Sequence, residues 1–374
     1  MVEVYKVGPC ANPYQMGYLV GQRFAGEIRS RLSNDHMLLH QLLPFSETSD
    51  GQALVSSLSE NNRTRYPNYW EELRGTADGS SVPFHQVILI NFRKEILPFI
   101  AAIPSSKVDA IDSSDDCSDI LVVTKSMAYA AHNEDANFSL LGHTYVVKAS
   151  LSNGRSFTAY TYAGELPSPA FGFNDQGLVF TLNSVPPSVH EVLSGGIGRN
   201  FISRDLLEAD DIEDALHRIR SAQVSVGHSY NLIDMKRRKI LNVETASRLR
   251  FSVVEVGDTP FFHANMYLHL QVDQVHDKNS LSRQERAASL PNETKGDFLS
   301  MLGDTEDETY PIFMTGPTLH TLCTAVVDLD DNTLSIIEEN PKNGRVSHVF
   351  QVLSDGGIMA GEARVDRECN RPCI

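Results

Sequence analysis

Apolar residues recur at helical spacing early in the chain and alternate with polar ones through its middle. Over residues 14–32, Met16, Leu19, Val20, Phe24, Ile28 and Leu32 recur at helical spacing behind Asn12-Pro13. That is the pattern of an amphipathic helix with a start signal. Gly17 and Gly21 sit four apart on it, where small residues permit close helix packing. Further helices are predicted at 35–43, 69–77 and 83–99, with Pro83 suited to a first helical turn. Residues 102–116 are small, polar and acidic, which reads as an exposed loop. From Cys117 onward the period shortens to two. Strands are predicted at 120–124, 127–131, 144–150, 156–162, 170–173 and 178–183, separated by turn signals such as Asn174-Asp175-Gln176-Gly177. Two helices, 199–208 and 212–222, precede strands at 229–234, 239–244, 250–256 and 261–264. A polar helical stretch, 281–302, leads to a last strand pair at 322–329 and 333–337. Strands in successive hairpins, with helices in separate blocks, predict an α+β fold in four layers: two largely antiparallel sheets covered by helices, an αββα sandwich.

Composition adds limits on function. The chain has 374 residues, 41% hydrophobic and 21% charged, enough for a large core without staples. One domain spanning 1–374 is expected. The formal net charge of −16 argues against a nucleic-acid partner or an anionic membrane surface. Five widely spread cysteines without a CxxC pair fit a reducing compartment. Met1 to Gly8 lacks a leader pattern, and no apolar run approaches the roughly 20 residues of a membrane span. The expected setting is cytoplasmic. Thirteen histidines contain no HExxH, so no metal and no cofactor are expected.

The candidate chemistry lies in Asp115-Asp116-Cys117-Ser118-Asp119, followed by His132-Asn133-Glu134-Asp135. Cys117 stands where the acidic loop meets an apolar strand. A lone cysteine is commonly a small buried hydrophobe. A hairpin turning near Lys125-Ser126, however, places Asp135 almost opposite Cys117, which is poor core design and sensible as a site. His132 invites a Cys–His pairing. Strand alternation argues against it, because His132 and Asp135 then face opposite sides. The alternative base is the α-amino group of Cys117 itself, freed by cleavage after Asp116; its reference pKa of about 7.7–8.0 leaves it partly neutral near pH 7. Asp115, Asp116 and Asp119 read either as a solvated loop or as carboxylates that draw a cationic amine to the site.

These segments give the sequence its resemblance to a known family. Asn12-Pro13-Tyr14-Gln15-Met16-Gly17…Gly21, the Cys117 junction, His132-Asn133-Glu134-Asp135, Gly172-Phe173-Asn174-Asp175-Gln176-Gly177-Leu178…Leu182-Asn183, His263-Ala264-Asn265 and the 322–328 segment resemble the acyl-coenzyme A:6-aminopenicillanic acid acyltransferase family. That family is itself similar to the choloylglycine hydrolases and shares the αββα N-terminal-nucleophile fold. The resemblance implies that Cys117 is a processed nucleophile, released by self-cleavage into segments 1–116 and 117–374 that remain together as an α/β heterodimer. It implies that Asp135 holds the new amine, that the Asn265 side chain donates to the oxyanion, and that Asn183 lies near the amine. Asp119 is the further substrate contact expected. Asp116 stands where the family usually has glycine, and a family arginine has no evident counterpart near Leu322-Cys323-Thr324. The implied activity is hydrolysis of a linear amide of an N-acyl or N-β-alanyl amine, a small-molecule substrate, through an acyl-enzyme. The alternatives are acyl transfer from a coenzyme A thioester on the same residues and a scaffold that never cleaves.

Overall fold

The computed structural model describes residues 1–101, 116–275 and 277–353. The expected loop at 102–115, including Asp115, lies outside the described residues, as do Cys369 and Cys373. In chain order the elements are β1 (Glu3–Val7), α1 (Pro13–Arg23), α2 (Ala25–Asn34), α3 (Leu43–Ser46), α4 (Ser49–Arg65), α5 (Pro67–Ser80), α6 (Phe84–Asn91) and α7 (Arg93–Ala101). Then come β2 (Cys117–Val123), β3 (Ala128–Asn137), β4 (Thr144–Ser150), β5 (Ser156–Tyr162), β6 (Phe171–Asn174), β7 (Leu178–Ser184), α8 (Arg199–Leu206) and α9 (Ile212–Ser221). The chain continues through β8 (His228–Asp234), β9 (Lys239–Ala246), β10 (Arg250–Glu255), β11 (Phe261–His263), α10 (Lys278–Ala288) and α11 (Lys295–Leu302), then β12 (Leu319–Asp328), β13 (Thr333–Ile337) and β14 (His348–Gln351).

Two sheets carry the site. The larger runs β1-β4-β5-β6-β7-β8-β9-β10 and is antiparallel except for β1 beside β4. The smaller runs β11-β2-β3-β12-β13-β14, antiparallel throughout. Period-two alternation sorts their side chains into three cores. Tyr145, Val147, Phe157 and Phe180 of the larger sheet pack under the helices of the first hundred residues and α8–α9. Its other face, with Val146, Tyr160 and Val179, meets Leu121, Ala130, Ala325 and Leu334 of the smaller sheet. The far face of the smaller sheet, with Ile120, Val122 and Tyr129, packs on Ala287 of α10 and Phe298 and Met301 of α11. The layers are therefore α, β, β, α, as the sequence predicts.

Several predicted helices are broken or displaced. Residues 14–32 form two helices that part at Phe24, where φ is −107°. The 83–99 helix divides after Asn91, with Pro83 preceding its first turn as the cap. The 281–302 stretch divides at Thr294, whose hydroxyl and Asp297 form a capping box. The structure adds α4 and the strands β1 and β14. Gly17 and Gly21 do permit close packing, and on a fine scale. A β-carbon on Gly17 would fall 1.9 Å from the Glu72 carbonyl oxygen, and one on Gly21 would fall 2.3 Å from that of Thr76. Helices α1 and α5 thus touch through their backbones. Among the described residues, no helix is long and apolar enough to cross a membrane.

Candidate functional site

Strand β2 begins at Cys117, and its first residue pairs with Glu134 of β3. The predicted pairing with Asp135 is off by one. The cause is the turn: Thr124 N–H donates to Met127 O at 2.7 Å, and the Thr124 hydroxyl accepts from Ser126 and Met127 N–H at 3.2 and 2.9 Å. That closure pairs Val123 with Ala128 and carries the count down to Cys117–Glu134. A one-residue slip exchanges the faces of every side chain. Cys117, Asp119, His132 and Glu134 therefore share the face between the sheets. Ser118, Asn133 and Asp135 share the opposite face, toward α10 and α11.

On the inner face, Cys117 Sγ lies 3.8 Å from Glu134 Oε2. His132 stands between two carboxylates, with Nε2 2.9 Å from Glu134 Oε2 and Nδ1 2.9 Å from Asp119 Oδ1. Ionised carboxylates only accept, so this arrangement favours a ring protonated on both nitrogens. Burial pulls His132 down, but the Asp119 charge and the hydrogen bonds around it hold it well above its ordinary value. Burial, then the Glu134 charge, pushes the Cys117 thiol up. Tyr162 donates its hydroxyl to Glu134 Oε1. Behind Asp119, Thr181 donates to Oδ1 at 2.9 Å and itself accepts from Asn231. The sequence casts Asp119 as a substrate contact. The structure instead gives it zero exposure and makes it the anchor of His132.

On the outer face the Asp116–Cys117 peptide is held from several sides. Asp135 N–H donates to Asp116 O at 2.9 Å, and Cys117 N–H donates to Asn265 Oδ1 at 2.8 Å. Arg283, fully buried on α10, donates to Cys117 O at 2.6 Å, Ser118 Oγ at 2.9 Å and Asn265 Oδ1 at 2.7 Å. Its Nε binds Asn279 Oδ1, and Asn279 Nδ2 reaches Asp116 Oδ2 at 2.8 Å. Asp116 is buried with its carboxylate in this network, so it forms no exposed acidic rim. Asp135 Oδ1 accepts from the Thr321 hydroxyl, which a bulge between Thr321 and Cys323 turns to this side. Burial pushes Asp135 up to about 7, against the pull of Arg283. Its Oδ2 is buried without a hydrogen-bond partner among the described residues.

The expected asparagines are both close by. Asn265 follows β11, and its amide is oriented with Oδ1 toward Cys117 N, while Nδ2 donates to Ser184 O at 2.9 Å. The donor on the Asp116 carbonyl is instead the backbone of Asp135. Asn183 is buried on β7 and its Nδ2 faces His263 O at 3.4 Å. Sequence reasoning missed Arg283 and assigned nothing to Glu134. Arg283 carried one signal: with Ser280 and Ala287 it falls three and four apart on the buried side of α10. The sulfur, His132 nitrogen and Glu134 oxygen come within 4.8 Å of one another. Both ring nitrogens are already engaged by carboxylates.

Known proteins share much of this chain. The family described as acyl-coenzyme A:6-aminopenicillanic acid acyl-transferase matches residues 122–343, beginning just after Cys117. The beta-alanyl-dopamine/carcinine hydrolase of Drosophila melanogaster is 28% identical over 359 residues, 88% of this chain and 91% of that protein. The 40 kDa form of the acyl-coenzyme A:6-aminopenicillanic-acid-acyltransferase of Emericella nidulans is 22% identical over 316 residues, 80% of this chain and 81% of its own. Weak likenesses exist among solved structures. A penicillin V acylase from Agrobacterium tumefaciens gives a TM-score of 0.32 at 10% identity, over 59% of this chain and 82% of its own. A mutant conjugated bile acid hydrolase from Clostridium perfringens gives 0.35 at 12% identity, over 65% and 99%.

Proposed function

The chain belongs to the acyl-coenzyme A:6-aminopenicillanic acid acyl-transferase family, and we propose that within it this protein is a self-processing cysteine amidohydrolase. One observation carries the reading. The peptide bond before Cys117 is gripped at its carbonyl by Asp135 N–H and at its nitrogen by Asn265, with the thiol at the first residue of β2. A donor already on the carbonyl oxygen is what a tetrahedral oxyanion needs, since preorganised donors act where charge develops. Attack by Sγ on the Asp116 carbonyl carbon gives a thioester. Water then releases segment 1–116 and leaves Cys117 with a free amine.

In the processed enzyme that amine becomes the local base, and Asp135 Oδ2 is the acceptor available to hold it. The substrate amide is attacked by the same sulfur, its amine departs, and water hydrolyses the acyl-enzyme. Rotation of Asn265 would bring its Nδ2 to the substrate oxyanion. The two segments stay together because they share one core and two buried ion pairs, Arg31–Glu165 at 2.5 Å and Glu72–Arg204 at 3.0 Å, which span the junction. The likeness to a beta-alanyl-dopamine/carcinine hydrolase supports an N-β-alanyl or other N-acyl amine as substrate. The second reading, acyl transfer, is favoured by the family and the Emericella relative. It would use the same acyl-enzyme, with a coenzyme A thioester as donor and an amine in place of water as acceptor.

The test is release of amine from an N-β-alanyl amine by the purified protein, with and without competing amine acceptors. The wild type is expected to hydrolyse it through a burst of one amine per site, and Cys117→Ala to fall to background. Undiminished turnover by folded Cys117→Ala would end the nucleophile assignment.

A further inference from the structure

In the uncleaved chain the nucleophile's own amine is not a base. Its nitrogen is the amide of the Asp116–Cys117 bond, and its N–H is given to Asn265. The first cleavage therefore needs a proton acceptor that later turnovers do not. Asp135, the carboxylate singled out from the sequence, lies on the wrong face of β3 to serve the sulfur. Glu134 lies on the right one.

We propose that Glu134 is the catalytic base of the self-cleavage step, taking the Cys117 thiol proton on Oε2, with His132 as the cation that positions it and offsets the charge. The inference rests on the self-processing reading above and names the group that starts it. Geometry supports it at each atom. Oε2 lies 3.8 Å from the sulfur and 2.9 Å from His132 Nε2, so one oxygen faces both. Oε1 is fixed by the Tyr162 hydroxyl, which leaves the carboxylate no freedom to turn away. His132 is fixed in turn by Asp119, and Asp119 by Thr181. All of these groups are buried between the two sheets, in a layer that also holds Leu121, Ala130 and Phe171. A buried charge cluster is a poor source of stability compared with apolar residues of similar volume. Its presence against a thiol that burial holds neutral fits a proton-transfer role.

The step balances without a further reagent. The thiol proton moves to Glu134 Oε2, giving a thiolate beside imidazolium His132. Sγ bonds to the Asp116 carbonyl carbon, and the oxyanion forms at Asp116 O, where Asp135 N–H already donates. Collapse breaks the C–N bond, and Glu134 returns the proton to the departing Cys117 nitrogen. Water then hydrolyses the thioester, leaving the Asp116 carboxylate and a free thiol.

The test is the self-cleavage rate of the full chain carrying Glu134→Gln, which keeps the size and loses the base. Intact protein should accumulate, with cleavage slowed about 10²–10⁴-fold, the usual contribution of a positioned acid–base group. Hydroxylamine, which cuts thioesters, should not restore it, because the block precedes the thioester. Glu134→Asp should recover part of the rate, and should do so even if Glu134→Gln folds poorly. His132→Gln should slow cleavage less than Glu134→Gln. Cleavage of Glu134→Gln at the wild-type rate would overturn the proposal. So would hydroxylamine-restored cleavage, since the N-to-S shift would then proceed without Glu134. A wild-type chain that never cleaves would instead defeat the self-processing reading itself.

Discussion

The two faces of the β2–β3 hairpin both carry polar groups, and they meet different partners. Toward the second sheet, Cys117 meets Glu134, His132 and Asp119, a run of groups that can pass a proton. Toward the helices, Asp116, Ser118 and Asp135 meet Asn279, Arg283 and Thr321, which hold the start of the strand away from the sulfur. Asn133 makes the contrast plain. It donates to Leu302 O at 2.8 Å and accepts from Thr324 at 2.7 Å, which fastens the strand to the helical layer and leaves no capacity turned toward the thiol. A strand can thus present a reactive face and a gripping face at successive residues, and register alone decides which carboxylate does what.

The largest effect expected on the gripping face comes from Arg283→Met. It leaves the Cys117 carbonyl, Asn265 and the acidic groups around the junction without their cation. Removing one partner from a buried charged network typically costs about 3–5 kcal/mol. Denaturant melts should show a loss of that order, with slower self-cleavage. A stable Arg283→Met that cleaves normally would mean the grip is dispensable and only the sulfur's face matters.

Next is Asn265→Ala. If its amide serves the substrate oxyanion after processing, kcat should fall about 10²–10³-fold with little change in KM. An effect confined to KM would make Asn265 a substrate-positioning residue and shift catalytic weight to the inner face.

A smaller effect, with a definite sign, is expected at Asp135. Its folded pKa is raised, to about 7, above an unfolded value of about 3.9. The folded state therefore binds the proton more tightly. That contribution is fully present below about pH 4 and is lost as pH rises through about 7. In the uncleaved Cys117→Ala chain, adding Asp135→Asn should remove this dependence, so the melting temperature of Cys117→Ala should decline more between about pH 5 and 8 than that of the double variant. In the cleavable chain, Asp135→Asn should lower hydrolytic activity, because the variant loses the carboxylate proposed to hold the new amine. Parallel pH profiles of melting would show that Asp135 is not the buried acid described here.

Much of this arrangement is legible in the sequence. Alternation from Cys117 onward and helical spacing before it specify the four layers, and the Cys117 junction, Asp135, Asn183 and Asn265 all fall within one neighbourhood. What escaped has physical causes. Helix α4 buries only Gly51, Leu54, Val55, Leu58 and Asn62 among many serines and asparagines, so its apolar stripe is faint. Among the described residues strand β1 pairs with β4 alone, over a hundred residues away, and nothing local marks it. The face of Glu134 depends on a hydroxyl at Thr124 that closes the turn and sets the register. Arg283 reads as one more charge on a polar helix, and only the folded chain shows it fully buried against Cys117.

The central claim is that Cys117 releases itself from Asp116, and intact-mass measurement of the freshly purified, unfolded protein tests it most directly. The account predicts two species, residues 1–116 and residues 117–374, the second beginning with Cys117, and a single full-length mass for Cys117→Ala. A wild-type protein that hydrolyses amides while keeping the full-length mass would contradict it.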